Sequence, residues 1–374
     1  MSKIIVLGAG MVGSAMAIDM AAKHEVTLTD INPEVLSMVQ QRCNVLTPQT
    51  LDVTDKTSLK KIIQSFDLVI CAVPGFLGFE TMKAIIEAGK NVVDISFFPE
   101  NSLLLDNLAK TNNVTAIVDC GVAPGMGNII LGYHNERMKV TGFECLVGGL
   151  PKIKKWPFNY KAPFSPVDVI EEYTRPARYV ENGELIVREP LTDCEYVEFE
   201  GVGTLESFNS DGLRTLIDTM PHIPNMKEKT LRYPGHVEYI KVLKESGFFK
   251  NDPIEINGIK VSPLEFTSKI LFNEWKLEET EKEITVMRIT IKGEEEEIIY
   301  TLYDEYCPET KTSSMARTTG YTATAAANMF LEGLFTEKGV FPPELVGKHE
   351  VCFDYIIKYL EERNILYKKE IRKK

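Results

Sequence analysis

Gly8-Ala9-Gly10-Met11-Val12-Gly13 follow a short apolar run and lead into a helix-forming stretch. This G-x-G-x-x-G spacing suits the binding of a pyrophosphate. Gly8 permits a tight turn, Gly10 lets the backbone come close to a phosphate with no Cβ in the way, and Gly13 lets the helix lie close on the strand. The helix N-terminus adds free N–H groups and a partial positive charge. Asp30 stands 22 residues beyond Gly8, where a second strand ends. A carboxylate there hydrogen-bonds ribose hydroxyls and repels a 2′-phosphate, so the pattern predicts NAD in preference to NADP. Asp52, after a third strand, serves either the adenine edge or a turn. Ala72-Val73-Pro74, after a fourth, either leave room for the nicotinamide end or simply pack.

Positioning such a site takes alternating strands and helices. Lys3–Leu7, Glu25–Thr29, Thr50–Val53, Phe66–Val73, Asn91–Ile95 and Thr115–Val118 read as short strands. Helices are predicted from Met11 to Ala22, after Pro33, from Thr57 behind an Asp55 cap, from Phe79 to Ala88 before Gly89, and from Ser102 to Lys110. The alternation predicts a doubly wound parallel sheet covered on both faces. Beyond Met126 the strands lengthen and alternate, at Phe143–Gly148, Tyr196–Glu200, Ile284–Lys292 and Glu296–Tyr303, and Asn182-Gly183 marks a hairpin. The acidic run from Lys292 to Glu297 reads as a solvated turn. From Ser313 the pattern is helical, over 323–334, 343–345 and 353–363, and a charged tail over 368–374 reads as frayed. The fold class is therefore α/β: a Rossmann sheet over 1–122, a central α+β catalytic domain with an open mixed or antiparallel sheet over 123–312, and C-terminal helices over 313–374 that pack back on the first domain.

Composition narrows the partners. Hydrophobic residues make up 44% of the 374 and charged residues 26%, ordinary for a globular chain. The 54 acidic residues exceed the 42 basic ones, a formal charge of −12 that disfavours nucleic acid and anionic membranes. There is no signal peptide pattern and no apolar run of membrane-spanning length. The seven cysteines are scattered, with neither C-x-x-C nor zinc spacing, so no metal is expected and reduced thiols in a cytoplasmic protein are.

Val92–Ser96 (VVDIS), Asp119–Gly125 (DCGVAPG), Glu171–Ala177 (EEYTRPA), Ser210–Leu216 (SDGLRTL), Thr230–His236 (TLRYPGH) and Ser313–Tyr321 (SSMARTTGY) extend the pattern nearly end to end. With the glycine loop they resemble the saccharopine dehydrogenase superfamily, most closely its lysine 6-dehydrogenase branch. The resemblance implies a central catalytic domain and a homodimer or higher homo-oligomer. It also exposes a departure. Saccharopine-cleaving members carry an aspartate at the position of Ala123 and a tyrosine at that of Phe97. Loss of both polar groups argues against a bulky tricarboxylate substrate.

The reaction so implied removes hydride from Cε of L-lysine to NAD, leaving an imine that water opens to the 6-semialdehyde and ammonia. Hydride leaves only from the neutral amine. With a lysine pKa near 10.4, neutralising it at pH 7.4 costs about 4 kcal/mol, so a base or a dry pocket is needed. Asp94 and Asp119, at the ends of strands, either hold the amine, act as base, or cap their turns. Lys161 is a base if buried and a surface lysine otherwise. Arg214 and Arg232 grip the substrate carboxylate or form structural ion pairs. His236 relays protons or closes the Pro-Gly turn. Arg317 reaches cofactor phosphates or joins domains. Two other functions compete: a saccharopine-type or carboxyspermidine-type enzyme working on a secondary amine, and a non-catalytic NAD-binding sensor. A sensor has no need to bring Asp94, Asp119 and Lys161 to one pocket.

Overall fold

The computed structural model describes residues 1–278 and 281–374. Apart from the small hairpin Ile254–Ile256 with Ile259–Val261, two sheets share the chain. One has seven strands in the order Gly339–Phe341, Thr115–Ile117, Val92–Asp94, Leu68–Cys71, Lys3–Leu7, Glu25–Asp30 and Thr47–Thr50. All its pairs are parallel. Its central strands are apolar on both faces because helices cover both, as in Leu68–Cys71, where every residue is buried. The third strand lies earlier than Thr50–Val53. Thr47–Thr50 is a mostly exposed edge strand, and its polar sequence carries no alternation to read.

The second sheet has nine strands and is mixed, its order running Glu195–Phe199, Gly203–Asn209, Met226–Arg232, Val140–Pro151, Glu283–Gly293, Glu296–Glu305 and Tyr367–Lys373. Ala177–Glu181 and Glu184–Arg188 form a hairpin beside it, closed at Asn182-Gly183 with both residues at positive φ. Met226–Arg232 runs parallel to Val140–Pro151. The other strand pairs are antiparallel.

Residues 313–374 do more than pack as helices. The helix Ser314–Leu331 is rich in Ala and Thr and lies against the helix Met11–Ala21. Asp19 fastens this seam by accepting from Thr324 (2.5 Å), and it also ties in the chain end by accepting from Tyr359 (2.7 Å) and Arg363 (2.8 Å). The same segment then contributes Gly339–Phe341 to the edge of the parallel sheet and Tyr367–Lys373 to the edge of the mixed one. The tail expected to fray is therefore a paired edge strand whose lysines and arginine face solvent. No described helix is long and apolar enough to cross a membrane.

Candidate active site

A cavity of about 390 Å³ lies between the two sheets, walled by the glycine loop on one side and by the parallel pair Met226–Arg232 and Val140–Pro151 on the other. Gly8 has φ of +100° and donates to Thr29 O (2.9 Å), and a Cβ on it would meet Ala72 O. A Cβ on Gly13 would strike Gly8 O, whereas one on Gly10 would project into open space. Gly10 offers no side-chain cap, so the first N–H groups of the helix Met11–Ala21 face the cavity free for an anion. Asp30 ends its strand there. Its carboxylate accepts from Ala9 N (2.8 Å) and Asn32 N (2.9 Å) and lines the cavity. These residues fit a pyridine nucleotide: Gly10 and the helix start would hold its pyrophosphate, Asp30 would hold a ribose, and Ala72, Val73 and Pro74 would line the way inward. Ala9 is buried behind the loop, and Met11, Val12 and Gly13 line it. Asp52 does not reach the cavity. Its Oδ1 is taken by Thr54 N (2.8 Å) and Thr54 Oγ1 (2.7 Å) in a local turn.

The polar residues further in sort differently from expectation. Asp119 lines the cavity, paired with Arg214 through Nη2 (3.2 Å) and Nε (3.3 Å). Asp94 lies just behind, fully buried, bonded to Ser96 N (3.1 Å) and Ser96 Oγ. Burial raises its pKa to about 7 against the pull of Ser96 and Cys71. Lys161 is turned away, donating to Glu274 O (2.7 Å) outside the cavity. His236 is also no relay. It is buried between Tyr173 OH and Phe158 O, both at 2.9 Å, and desolvation and Arg232 push its pKa down to about 3. It holds Tyr173, which in turn holds Arg232. Arg232 reaches the cavity wall, yet its guanidinium already donates to Glu172 (2.7 Å), Leu231 O (3.0 Å), Tyr173 (3.2 Å) and Tyr160 (3.4 Å). Arg317 bonds Asp304 and Arg363 O and so joins the mixed sheet to the C-terminal segment.

The residues not anticipated lie on the helix Pro166–Thr174 and the residue after it. Asp168, Glu171, Glu172 and Arg175 recur at helical spacing and line the cavity. That spacing was visible inside E-E-Y-T-R. Arg175 stacks over Phe97 (4.7 Å to the ring centroid) and bonds Glu171 (3.2 Å), while its buried Nη1 has no partner. Glu228 points into the same space from the mixed sheet, 7% exposed and raised to about 8, chiefly by burial and then by Glu172.

A parallel dinucleotide-type sheet facing a mixed sheet across a largely apolar cavity that carries several carboxylates is the arrangement of a pyridine-nucleotide-binding oxidoreductase. The family profiles agree. The saccharopine dehydrogenase NADP binding domain matches residues 4–117, and the saccharopine dehydrogenase C-terminal domain matches 121–365. The chain belongs to the saccharopine dehydrogenase family, whose related enzymes are dehydrogenases acting on amino groups. Carboxyaminopropylagmatine dehydrogenase of Synechocystis sp. is 23% identical over 92% of both chains. The NADP(+), L-glutamate-forming saccharopine dehydrogenase of Saccharomyces cerevisiae is 26% identical over 72% of this chain and 62% of its own length. The apo structure of the L-Glu-forming saccharopine dehydrogenase from the same yeast superposes with a TM-score of 0.80 at 21% identity, covering 100% of both chains, and so shares the fold.

Proposed function

We propose that this chain is a NAD-linked dehydrogenase acting on the C–N bond of a secondary amine that joins an α-amino acid to a cationic amine. The observation that carries this is the charge inventory of the cavity. The carboxylates of Asp119, Asp168, Glu171, Glu172, Asp211 and Glu228 line it, and of the two guanidinium groups in its described lining Arg232 is fully engaged while Arg175 keeps Nη1 unpaired. One guanidinium with a nitrogen unpaired suits one carboxylate. Three carboxylates would meet an acidic wall, which disfavours saccharopine. The relative covered at 92% of its length carries a name with one carboxyaminopropyl group on agmatine, a compound of this charge type.

The bound nicotinamide would supply the hydride acceptor. The protein's own part is to hold the carboxylate at Arg175, keep the amine dry between Phe97 and Ala123, and take its proton. Asp119 is the first candidate for that proton, since it lies at the end of the strand Thr115–Ile117 and lines the cavity, with Arg214 holding it in place. Asp30 is the support for NAD: its carboxylate stands at the ribose position, and Ile31-Asn32-Pro33-Glu34 after it carry no cation to take a 2′-phosphate. A second reading, deamination of L-lysine at Cε, rests on Phe97 and Ala123, which line the cavity without a polar group for a larger substrate.

The test is dinucleotide reduction with carboxyaminopropylagmatine, L-lysine and saccharopine, each with NAD and with NADP. Turnover of the first with NAD supports the proposal. Turnover of lysine alone moves the protein to the second reading, and turnover of saccharopine alone overturns both.

A further inference from the structure

Glu228 differs from the other carboxylates of the cavity. Asp119 pairs with Arg214, Glu172 with Arg232, Glu171 with Arg175 and Asp211 with Arg178. Asp168 is held by Ser165 and Gly75 N. Among the described residues no hydrogen bond or ion pair reaches the carboxylate of Glu228, although only 7% of the residue is exposed. Its placement is built rather than incidental. Glu228, Thr230 and Arg232 alternate along the strand Met226–Arg232, so all three face the cavity. The loop opposite makes room for it: a Cβ on Gly212 would collide with Glu228 Oε1.

We propose that Glu228 is the receptor for a cationic nitrogen group of the substrate, a guanidinium or an ammonium, with Glu172 and Asp211 as the flanking wall. This rests on the reading of the cavity as a site for a cationic amino-acid amine and adds the residue that recognises the cation. A buried carboxylate with no partner takes up either a proton or a cation. Burial, Glu172, Asp211 and Asp119 all favour the protonated form, and Arg214 opposes them, leaving the pKa at about 8. At pH 7 the free site is therefore mostly the neutral acid. An arriving guanidinium displaces that proton to solvent and forms a charge-assisted pair with the carboxylate. Binding should release close to one proton at pH 7 and very little at pH 9, and affinity should rise about tenfold per pH unit below pH 8 before levelling.

The experiment is calorimetric titration of the full-length, NADH-saturated protein with butylguanidine and, separately, with butylammonium. Neither probe titrates near pH 7, so buffers of different ionisation enthalpy count protons lost by the protein. We expect at least one probe to bind with the proton release described. A preference for butylguanidine identifies a guanidinium as the natural group, and a preference for butylammonium identifies an ammonium. Glu228→Gln matches the protonated acid in shape, and it should bind NADH normally, lose about tenfold or more in probe affinity, and release no proton. Failure of both probes to bind, or unchanged affinity and proton release in Glu228→Gln, overturns the proposal. Should that variant not fold, the pH dependence of proton release in the unaltered protein decides the matter alone. Turnover of the one-carboxylate amine without probe binding sinks the subsite and spares the reaction; probe binding without turnover does the reverse.

Discussion

Asp30 accepts from the backbone N–H of Ala9, in the glycine loop, and of Asn32 beyond its own strand, and on the proposed reading its carboxylate selects NAD over NADP. Asp30→Gly removes both functions. We expect the NADP-to-NAD preference to rise by about tenfold or more, with weaker NAD binding overall because a charge-assisted bond to the ribose is worth about 1.5–3 kcal/mol. The ratio of kcat/KM values for the two cofactors reads this, and an unchanged ratio would remove Asp30 from cofactor choice. Glu283 acts on stability instead. It is 1% exposed, Met315 N donates to it at 2.8 Å, and its Oε2 has no partner. Burial raises its pKa to about 7. The folded state therefore holds this proton where the unfolded chain has lost it, so stability falls as pH rises from the unfolded pKa, roughly 4.3, to about 7, and is flat above. Glu283→Gln should be more stable than the parent by about 1–3 kcal/mol at pH 8 and similar to it at pH 4.5 in urea unfolding. Asp94, also about 7, leaves a residual slope of the same sign. Equal stability of parent and variant at pH 8 would refute this account.

Two helices meet backbone to backbone where the halves of the molecule join. A Cβ on Gly132, in Met126–Asn135, would meet Glu344 O, and one on Gly347, ending Pro343–Gly347, would meet Ile129 O. The buried Glu344 carboxylate accepts from Thr215 (2.7 Å), Thr219 (2.7 Å) and Asn128 (3.0 Å), so a strand loop, a short helix and the C-terminal segment converge on it. Gly132→Ala should force these helices apart and cost about 1–3 kcal/mol, or more where the backbone cannot shift. A thermal melt within half a degree of the parent would mean that the contact yields freely. The helix Pro166–Thr174 works in the opposite sense, with its acidic face lining the cavity. The sequence shows these charges at helical spacing but not which surroundings the charged side meets.

At the scale of the whole molecule the chain crosses between the sheets and back, and the last strand closes the mixed one. Tyr367–Lys373 covers Glu296–Leu302, and Lys374 N donates to Glu295 O (2.9 Å). Truncation after Leu366 would leave the strand Glu296–Glu305 as a bare edge with Ile298, Tyr300 and Leu302 along it. We expect a lower melting temperature and concentration-dependent association by light scattering, with NADH affinity kept, because the cofactor loop belongs to the other sheet. A monodisperse truncated protein with an unchanged melt would show that the tail is dispensable.

The glycine loop, Asp30 and the alternation of short apolar strands with helices are local patterns, and local patterns survive in the linear sequence. Gly8, Gly10 and Gly13 are constrained by backbone clearance within a single strand–turn–helix unit, so residue type and spacing alone determined that part of the site. The hairpin at Asn182-Gly183 was legible for the same reason, since positive φ at both positions selects those residues. The substrate side was not. Lys161, Arg232 and His236 have the right chemistry, but which of them keeps a free donor depends on partners as distant as Glu172 and Glu274. Arg175 and Glu228 stand out only once the fold shows which buried groups lack such partners. The strands Gly339–Phe341 and Tyr367–Lys373 are too short or too polar to signal pairing and exist because sheet edges were waiting for them. Sequence by itself determined the strand–glycine-loop–helix unit, where geometry is local; tertiary structure decided the facing wall of the cavity, where burial and pairing across more than 50 residues set which charges remain free.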